Sequence, residues 1–558
     1  MYSDNALVRE VVALARAHNI RHAIVCAGSR NAPLAHSFAA CPDIEAIQCV
    51  DERSAAFEAL GMAEVLQEPV IVCVTSGSAM LDAAPAIAEA FYQEIPLILV
   101  SADRPSCWID QRDGQTMHQP YALKEFVRCS VQLPESGNIS HANRLINMAY
   151  LAARGPVPGP VHINVPIDEP FFSCTTPELP APRVLHAERP SGYDVSPDAR
   201  AEILSARRIL IAAGQMPADP DTQAAIARLG RYGVVTIAEH LANLPADTGA
   251  VTLADLALAV LSEEESRSLA PDLVITIGGH IVSKRFKRFL RSLEPLSHWH
   301  TGTDDSAAPD VFQHLTRLVR TDTNSFLAAL EKVLAEKEEA QEKAFQSSWQ
   351  KMQAALAAKV QAYFADDCLP FSDLACMAHF FNTLPEGSYL HLANSSPVRN
   401  AQYFSLPENT HVYCNRGVNG IDGSLSAALG NAIATDRPVF CLIGDLSFFY
   451  DSNALWRQQL PGNLHILLFN NGGGNIFRTL PGLNSPYRDT FIAGSNSFSA
   501  REQAMQAHLA YASAKTATEL DRELPGFVSS NTACLLEVCT DAEICARAQK
   551  ELVSAVRG

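Results

Sequence analysis

The sequence predicts an α/β protein built from three doubly wound parallel-sheet domains. Short apolar runs such as residues 439–443 and 464–469 have the length and composition of buried parallel strands. Segments with helical spacing of apolar residues separate these runs, and such alternation produces right-handed crossovers between parallel strands. A chain of 558 residues has room for about three or four domains, so the runs must be divided among several sheets.

The first domain is predicted over residues 1–180. Apolar residues between Leu7 and Ala15 fit one face of a helix, and residues 55–66 form a second helical pattern. Strands are predicted at residues 22–27, 69–75, 96–102 and 161–165, the last of which would close this first unit.

A proline-rich stretch follows this domain. The prolines within about twenty residues are Pro177, Pro180, Pro182, Pro190 and Pro197. Such a composition does not sustain helix or sheet and suits a linker. We therefore expect a domain boundary here, with the linker at residues 181–205.

The same alternation continues in a central α/β domain, predicted at residues 206–345, and in a third domain at residues 346–558 with its preceding connecting helix. Residues 322–365 contain many Ala, Glu, Lys and Gln residues and no proline, which favours one or two connecting helices. Central strands are predicted at residues 208–214, 234–237 and 273–279, and third-domain strands at 389–393, 439–443, 464–469 and 534–538.

Composition excludes several classes of function. A net charge of −18 argues against nucleic acid or an anionic membrane surface as the main partner, because both repel an acidic protein. The N-terminus lacks the basic region and apolar core of a signal sequence, and no apolar run is long enough to span a membrane. The 14 cysteines are scattered singly, without a Cys-x-x-Cys pair. We expect a cytosolic protein with reduced thiols and no stable membrane insertion.

Polar residues end two of the third-domain strands. Gly444-Asp445 follows the first, and Asn470-Asn471 leads into three glycines after the second. Open parallel sheets bind ligands beyond the carboxyl ends of their strands, so Asp445 and Asn471 should face one crevice. Carboxylate, amide and backbone oxygens together with a diphosphate suit Mg²⁺. Either motif alone could be an ordinary strand-end turn; together they favour a metal-diphosphate clamp.

This pair of motifs resembles the cofactor motif of thiamine diphosphate enzymes, although Leu446 replaces the second glycine of the usual Gly-Asp-Gly. The resemblance implies three domains of the thiamine diphosphate enzyme type, in the order pyrimidine-binding, central and diphosphate-binding. It implies thiamine diphosphate and Mg²⁺, or alternatively Mn²⁺, with Asp445, Asn471 and the Gly473 carbonyl as metal ligands. The other cofactor-binding residues that it implies are Gly28, Ser29, Glu52, Ser76, Gly77, Ile421, Gly444, Leu446, Ser447, Gly474, Ile476 and Phe477.

Three residues are implied at the catalytic centre. Glu52 follows a strand that ends near Cys49, and in the family this glutamate hydrogen-bonds the aminopyrimidine ring of the cofactor. Apolar surroundings would raise its proton affinity, although Asp51 and Glu52 could equally be favourable charges at a helix N-terminus. Ile421 would separate the two cofactor rings and bend the cofactor. Gln115 would lie beside the acceptor substrate.

Further motifs narrow the resemblance to the carboligases of menaquinone biosynthesis. In chain order they read Gly-Ser-Arg-Asn-Ala-Pro from Gly28, Thr-Ser-Gly-Ser-Ala from Thr75, Ala-Asp-Arg-Pro from Ala102, Asn-Arg-Gly-Val-Asn-Gly-Ile-Asp-Gly from Asn415, and Asn-Ile-Phe-Arg-Thr-Leu-Pro ending at Pro481. They cover essentially the whole chain. The resemblance implies decarboxylation of 2-oxoglutarate and 1,4-addition of the succinyl carbanion to isochorismate. It also implies a homodimer or a homotetramer with active sites at the dimer interface.

Both substrates carry two carboxylates, so the site needs fixed cationic groups. Four arginines, all predicted in loops beyond strands, are suited to this: Arg30, Arg104, Arg399 and Arg416. The resemblance places Arg399 and Arg416 at the succinyl carboxylate, with Asn394 as a further substrate contact. Around the acceptor it places Ser29, Arg30, Gln115, Lys284 and Ser395. Lys284 could instead belong to a basic helix face, and Gly114 stands where a family member has a polar residue.

Two other readings stay open. The nearer one is another thiamine diphosphate-dependent 2-oxoacid decarboxylase or an acetolactate-type synthase, but four arginines suit multiple carboxylates better than a small monocarboxylate. The other is a non-enzymatic Mg²⁺-nucleotide binding protein, which would have no use for Glu52. His298 and His300 on one strand lack neighbouring ligands for a metal. Gly278-Gly279 lacks the Gly-x-Gly-x-x-Gly fingerprint, so we expect no flavin or nicotinamide.

Overall fold

The computed structural model describes residues 1–135, 137–187, 192–304, 307–337, 343–366, 369–480 and 482–557. It contains three sheets, and every pair of neighbouring strands in them is parallel. Each sheet has an apolar core on either face, formed with the helices that cover it. The prediction of three doubly wound α/β domains is confirmed.

The first sheet is built from β1 (His22–Cys26), β2 (Glu45–Cys49), β3 (Val70–Val74), β4 (Leu97–Asp103), β5 (Cys129–Gln132) and β6 (Val161–Pro166). Its helices are α1 (Ala6–Ala17), α2 (Ala32–Ala40), α3 (Glu52–Leu66), α4 (Ser78–Asp82), α5 (Ala84–Gln93) and α6 (Ile139–Ala153). The strand order is β2-β1-β3-β4-β6-β5. β6 is the last strand of this unit along the chain, as predicted for residues 161–165, and β5, which the apolar pattern did not indicate, forms the edge of the sheet outside β6.

The second sheet contains β7 (Ile209–Ala213), β8 (Val235–Ala238), β9 (Leu273–Ile277), β10 (Ser297–Thr301) and β11 (Leu315–Val319), in the order β11-β10-β9-β7-β8. Its helices are α7 (Pro197–Ser205), α8 (Pro220–Arg231), α9 (Ala254–Val260), α10 (Glu263–Ser268) and α11 (Lys284–Arg291). Pro197 starts α7 instead of extending the irregular linker, because proline is favoured in the first helical turn and Ser196 caps this helix. Pro190 lies outside the described residues.

Two helices then connect to the third domain, α12 (Thr323–Ala335) and α13 (Lys343–Phe364), as the composition predicted. The third sheet has the order β13-β12-β14-β15-β17-β16. Its strands are β12 (Tyr389–Leu392), β13 (His411–Tyr413), β14 (Val439–Gly444), β15 (Leu464–Asn470), β16 (Ala510–Ala514) and β17 (Cys534–Cys539). Its helices are α14 (Asp373–Phe381), α15 (Ser396–Asn400), α16 (Ser424–Ile433), α17 (Asp445–Tyr450), α18 (Ile476–Thr479), α19 (Arg501–Gln506), α20 (Ala517–Val528) and α21 (Ala542–Arg557).

Helices α3 and α16 join the first and third domains at very close range. A Cβ atom on Gly61 of α3 would lie 2.0 Å from the Ala427 carbonyl oxygen, and one on Gly430 of α16 would lie 2.0 Å from the Glu58 carbonyl oxygen. Only glycine permits this approach of two helix backbones. The crossing therefore fixes α3, which begins at Glu52, against the domain that contains the predicted clamp.

Two further findings concern the whole molecule. None of the helices in the described parts of the chain is long and apolar enough to cross a membrane. The cysteines of those parts are free thiols, and most of them are buried. Cys26, Cys73 and Cys441 lie inside buried strands, where burial raises the pKa of each thiol.

Candidate active site

Glu52 is the first residue of α3, at the carboxyl end of the first sheet. Asp51 caps this helix and accepts hydrogen bonds from the backbone N–H groups of Arg53 and Ser54. Asp51 is thus the capping carboxylate, while Glu52 lies in the first turn of the helix with its carboxyl half-buried. Burial, followed by the nearby charges of Asp82 and Asp51, raises the pKa of Glu52.

The start of α3 contacts the third domain just after α17. The Arg53 guanidinium donates to the Tyr450 carbonyl oxygen at 2.8 Å and lies 4.8 Å from the centre of the Tyr450 ring. Asn453 donates its side-chain N–H to Asp51 Oδ2 at 2.6 Å. These contacts hold the helix that carries Glu52 beside the segment that follows Asp445.

Asp445 and Asn471 lie at the carboxyl ends of the neighbouring strands β14 and β15. The Leu446 N–H donates to Asp445 Oδ1 at 2.8 Å, and Asn496 donates to its Oδ2 at 3.4 Å. Burial raises the pKa of Asp445 to about 6. The Asn471 amide donates to Asp373 Oδ2 at 2.7 Å, whereas its Oδ1 is buried without a hydrogen-bond partner.

These residues fit a divalent cation. Asn471 Oδ1 is an unsatisfied acceptor, and Asp445 is a buried carboxylate without a cationic partner among the residues that bond to it. Gly473 has φ +141°, and a Cβ there would lie 2.9 Å from the Ala493 carbonyl oxygen. The described residues contain no cluster of three His, Cys, Asp or Glu side chains for a metal. A cation at this crevice therefore depends on mixed carboxylate, amide and backbone oxygens.

Most other third-domain residues of the predicted cofactor group lie on segments close to Asp445 and Gly473 in the chain. Ser447 Oγ donates to the Ile421 carbonyl oxygen at 2.5 Å, and Ile421 keeps 40% of its surface exposed. Gly474 N–H donates to the Ala493 carbonyl oxygen at 2.6 Å, and the Phe477 ring packs against Gly474. Ile476 starts the short helix α18, while Pro481 of the same motif lies outside the described residues. The Ser447 hydrogen bond places the backbone of Ile421 next to the helix that begins at Asp445.

A cavity of about 540 Å³ opens between the second and third domains. Lys284, Arg399, Asn475 and Ile476 are among the residues that line it. Lys284 is the first residue of α11 and also lines the cavity. It therefore belongs to a basic helix, as one interpretation of the sequence had it, and also faces a possible binding site, as the other did. Arg399 lies in the short helix α15, contrary to the loop predicted, because Pro397 starts a helical turn there.

The two third-domain arginines bond to neutral oxygens. Arg399 Nη1 donates to the Ser395 carbonyl oxygen at 2.6 Å, and Arg416 Nη1 donates to Asn394 Oδ1 at 2.8 Å. Asn394 in turn donates to the carbonyl oxygens of Asn415 and Gly420, which holds the loop of Arg416 against the end of β12. Burial, followed by the neighbouring Arg416, lowers the pKa of Arg399.

The first-domain group forms a second site around Arg104. Arg104 Nη1 donates to Ser76 Oγ at 2.6 Å and to the Gln115 carbonyl oxygen at 3.4 Å, and its Nε lies 3.1 Å from Asp113 Oδ2. Gly77 has φ +86° and packs beside Gln115.

Arg30 is the buried cation of the same domain. Its Nη1 donates to the Ile167 carbonyl oxygen at 3.0 Å, and its guanidinium lies 4.6 Å from the centre of the Phe171 ring. Ser29 beside it is exposed, and Gly28 packs against Thr75.

Three protein-family models match consecutive parts of the chain. The N-terminal binding domain of thiamine pyrophosphate enzymes, a synonym for thiamine diphosphate enzymes, matches residues 7–123. The middle domain of thiamine pyrophosphate enzymes matches residues 191–392, and their C-terminal binding domain matches residues 395–538. Glu52 lies in the first match, and Asp445 and Asn471 lie in the third.

Curated relatives carry one name over nearly the full length. The 2-succinyl-5-enolpyruvyl-6-hydroxy-3-cyclohexene-1-carboxylate synthase of Bacteroides fragilis is 39% identical and covers 99% of each chain. The chain belongs to this synthase family. The synthase of Desulfotalea psychrophila is 41% identical over 86% of this chain and 88% of its own, and that of Flavobacterium johnsoniae is 35% identical over 97% of each. The resemblance to menaquinone-pathway carboligases is confirmed, and the protein is a thiamine diphosphate-dependent enzyme that forms carbon–carbon bonds.

Two carboxylates of this chain, Asp373 and Glu89, contact predicted site residues or their neighbours. Neither contact was predicted from the sequence. Asp373 bonds to Asn471 as described above. Glu89 on α5 accepts the backbone N–H of Gly417 at 2.5 Å and that of Val418 at 2.7 Å, directly after Arg416. Glu89 is 328 residues away from Gly417 in sequence, so no local pattern could have connected them.

Proposed function

We propose that the protein decarboxylates 2-oxoglutarate and adds the remaining succinyl group, in a 1,4-addition, to isochorismate in the cytosol. The products are CO₂ and 2-succinyl-5-enolpyruvyl-6-hydroxy-3-cyclohexene-1-carboxylate, an intermediate of menaquinone biosynthesis. The observation that carries the proposal is the pair of arginines, Arg399 and Arg416, which lack a carboxylate partner among the described residues although substrates of this type bring several carboxylates. The name of the full-length relatives supports the same reaction.

Asp445, Asn471 and the Gly473 carbonyl would hold Mg²⁺, or Mn²⁺, against the diphosphate. The unsatisfied Oδ1 of Asn471 supports this assignment. Thiamine diphosphate, when bound, supplies the electron sink that stabilises negative charge after CO₂ leaves. The residues of this chain orient the reactants and exclude water.

Glu52 would hold a proton at the ring nitrogen of the aminopyrimidine. Its half-burial and raised pKa support this role, because a carboxyl that is reluctant to ionise can share a proton with a nitrogen. Ile421 would separate the two cofactor rings, since its exposed side chain stands at the crevice on a backbone anchored by Ser447.

Two sets of side chains would position the substrates. Arg399 and Arg416 would bind the carboxylate at the far end of the succinyl group, next to Asn394. The acceptor would lie among residues from both domains, which are Ser29, Arg30, Arg104, Gln115, Lys284 and Ser395. Planar guanidinium groups bind carboxylates through paired hydrogen bonds, which fixes the reacting carbon in place.

We also propose a homodimer, or a dimer of such dimers, in which one subunit's first domain completes the site on its partner's third domain. Large apolar side chains of the third domain are exposed, including Phe491 at 81% and Trp456 at 63%, as expected for a surface that a second subunit covers.

The decisive experiment measures CO₂ release from 2-oxoglutarate by the purified protein with thiamine diphosphate and Mg²⁺, with and without isochorismate. We expect isochorismate to accelerate release strongly and mass spectrometry to detect the coupled product. A rate of CO₂ release that does not change with isochorismate would favour a simple decarboxylase. In the matched variant Glu52→Gln, cofactor binding should persist while turnover is lost; unchanged turnover would remove Glu52 from the mechanism.

A further inference from the structure

Asp373 is a buried carboxylate beside the metal crevice, in a segment that no motif covers. It is the first residue of α14, and only 3% of its surface is exposed. Asn471 Nδ2 donates to its Oδ2 at 2.7 Å, and Thr540 Oγ1 donates to its Oδ1 at 2.6 Å. Its own backbone N–H donates to Cys545 Sγ at 3.3 Å. The carboxylate is therefore held from the ends of both β15 and β17.

This arrangement decides which way the Asn471 amide points. A side-chain amide has a donor on one side and an acceptor on the other. Because Asp373 can only accept when ionised, Nδ2 must face it, and Oδ1 then lies on the opposite side, buried and without a partner. An amide turned the other way would bring two oxygens together at Asp373 and present N–H groups to a cation.

We propose that Asp373 is a positioning residue that fixes Asn471 so that its Oδ1 is presented to a divalent cation. The inference rests on the metal site proposed above and deepens it. Asp373 is not itself assigned as a ligand, because both of its oxygens already accept hydrogen bonds. Groups that orient metal ligands in this way commonly affect metal affinity about 10–100-fold.

A second asparagine-carboxylate pair provides the matched control. Glu64 is buried, with 5% of its surface exposed, and accepts a hydrogen bond from Asn431 Nδ2 at 3.4 Å. In that pair the amide oxygen has a partner, because Asn431 Oδ1 lies 3.0 Å from His391 Nδ1. Glu64→Ala therefore removes a comparable buried carboxylate without touching an amide that presents a free oxygen.

The test titrates Mg²⁺ into the full-length protein at saturating thiamine diphosphate and follows binding by calorimetry, with no turnover needed. We expect Asp373→Ala to weaken Mg²⁺ binding about 10–100-fold. Asp373→Asn can still accept from Asn471 and should stay within about threefold of the wild type. Glu64→Ala should leave Mg²⁺ affinity unchanged, and thermal melts of the apo proteins monitor folding.

Two outcomes would overturn the inference alone: wild-type Mg²⁺ affinity in Asp373→Ala, or an equal loss in Asp373→Ala and Glu64→Ala. If Asp373→Ala does not fold, Thr540→Ala is the second variant, because it frees one carboxylate oxygen; we expect about threefold weaker Mg²⁺ binding, and no change would count against the inference. Absence of Mg²⁺ binding to the wild type would instead overturn the proposed metal site and the inference together.

Discussion

The two groups of arginines differ in what neutralises them. In the first domain, Arg104 lies 3.1 Å from Asp113 and Arg30 lies 3.4 Å from Glu169, and both carboxylates are largely exposed. In the third domain, Arg399 and Arg416 bond only to neutral oxygens among the described residues. Arg416 is buried, whereas Arg399 is partly exposed and also feels the nearby charges of Glu239 and Asp255. A cation without a direct ion pair is available to an incoming anion, whereas a paired cation must first exchange its partner. The third domain is thus a prepared anion receptor, while the first domain holds its cations in exchangeable pairs.

The largest expected effect comes from removing the positive charge of a third-domain arginine. Arg416→Gln should reduce kcat/KM for 2-oxoglutarate about 30–1,000-fold, corresponding to about 2–4 kcal/mol for one partner of a buried charge pair. Steady-state kinetics with 2-oxobutanoate, which lacks the distal carboxylate, provide the control and should show little additional loss. An equal loss with both donors would mean that Arg416 does not bind that carboxylate.

The next effect is the pH dependence of metal binding in the third domain. Burial raises the folded-state pKa of Asp445 to about 6, above its ordinary value. The stability that its protonated form contributes to the apo protein is therefore lost as pH rises through about 6, where the ionised metal ligand appears. Below about pH 6, protons compete with Mg²⁺, so its affinity should fall about tenfold per pH unit. Calorimetry from pH 7.5 to 5 measures this, and Asp445→Asn should abolish the dependence on this group. A flat profile in the wild type would contradict the assignment.

A smaller effect tests how the first domain supports the receptor. Glu89 accepts two backbone N–H groups next to Arg416, so Glu89→Gln places an amide donor against one of them. We expect KM for 2-oxoglutarate to rise about tenfold, with KM for isochorismate nearly unchanged. Kinetics of both substrates decide this, and Glu64→Gln, another buried carboxyl between the domains, should leave both constants alone. Equal changes in the two constants would indicate general disturbance of the fold.

The smallest effect concerns the exchangeable pair. Asp113→Asn removes the half-exposed carboxylate that accompanies the largely buried Arg104, which should lower KM for isochorismate about two- to fivefold, since such a pair contributes about 1 kcal/mol or less. Arg104 would be free of competition from its own chain. A raised KM would show instead that Asp113 orients Arg104 for the acceptor, and the contrast between the domains would then weaken.

The sequence predicted best what the ends of parallel strands determine. Asp445 and Asn471 lie at neighbouring strand ends because β14 and β15 pair in parallel, and both strands were visible as apolar runs. Glu52 likewise starts a helix after a strand. Asp373, Glu89 and their bonds could not be predicted, because their partners are remote in sequence and meet only through the packing of α14 and α5.

The role of Lys284 also depends on packing between parts of the chain that are remote in sequence. Its sequence allowed a solvated basic helix face, and only the placement of α11 against the third domain makes it line the cavity with Arg399.

Edge strands were also missed in the sequence predictions, because one side of such a strand has no neighbouring strand to bury it. The half-exposed β5 and β16 lack the continuous apolar pattern of the central strands.

The glycine crossing of α3 and α16 limits how the molecule can open. With Gly61 and Gly430 pressed against the opposing backbone, the two helices cannot slide past each other without first separating. The first and third domains of one chain should therefore travel as a single block during turnover. We therefore expect any opening that admits substrates to occur on the side of the central domain, where a cavity already separates it from the third domain. Two glycines that contact only backbone would then influence the route of access.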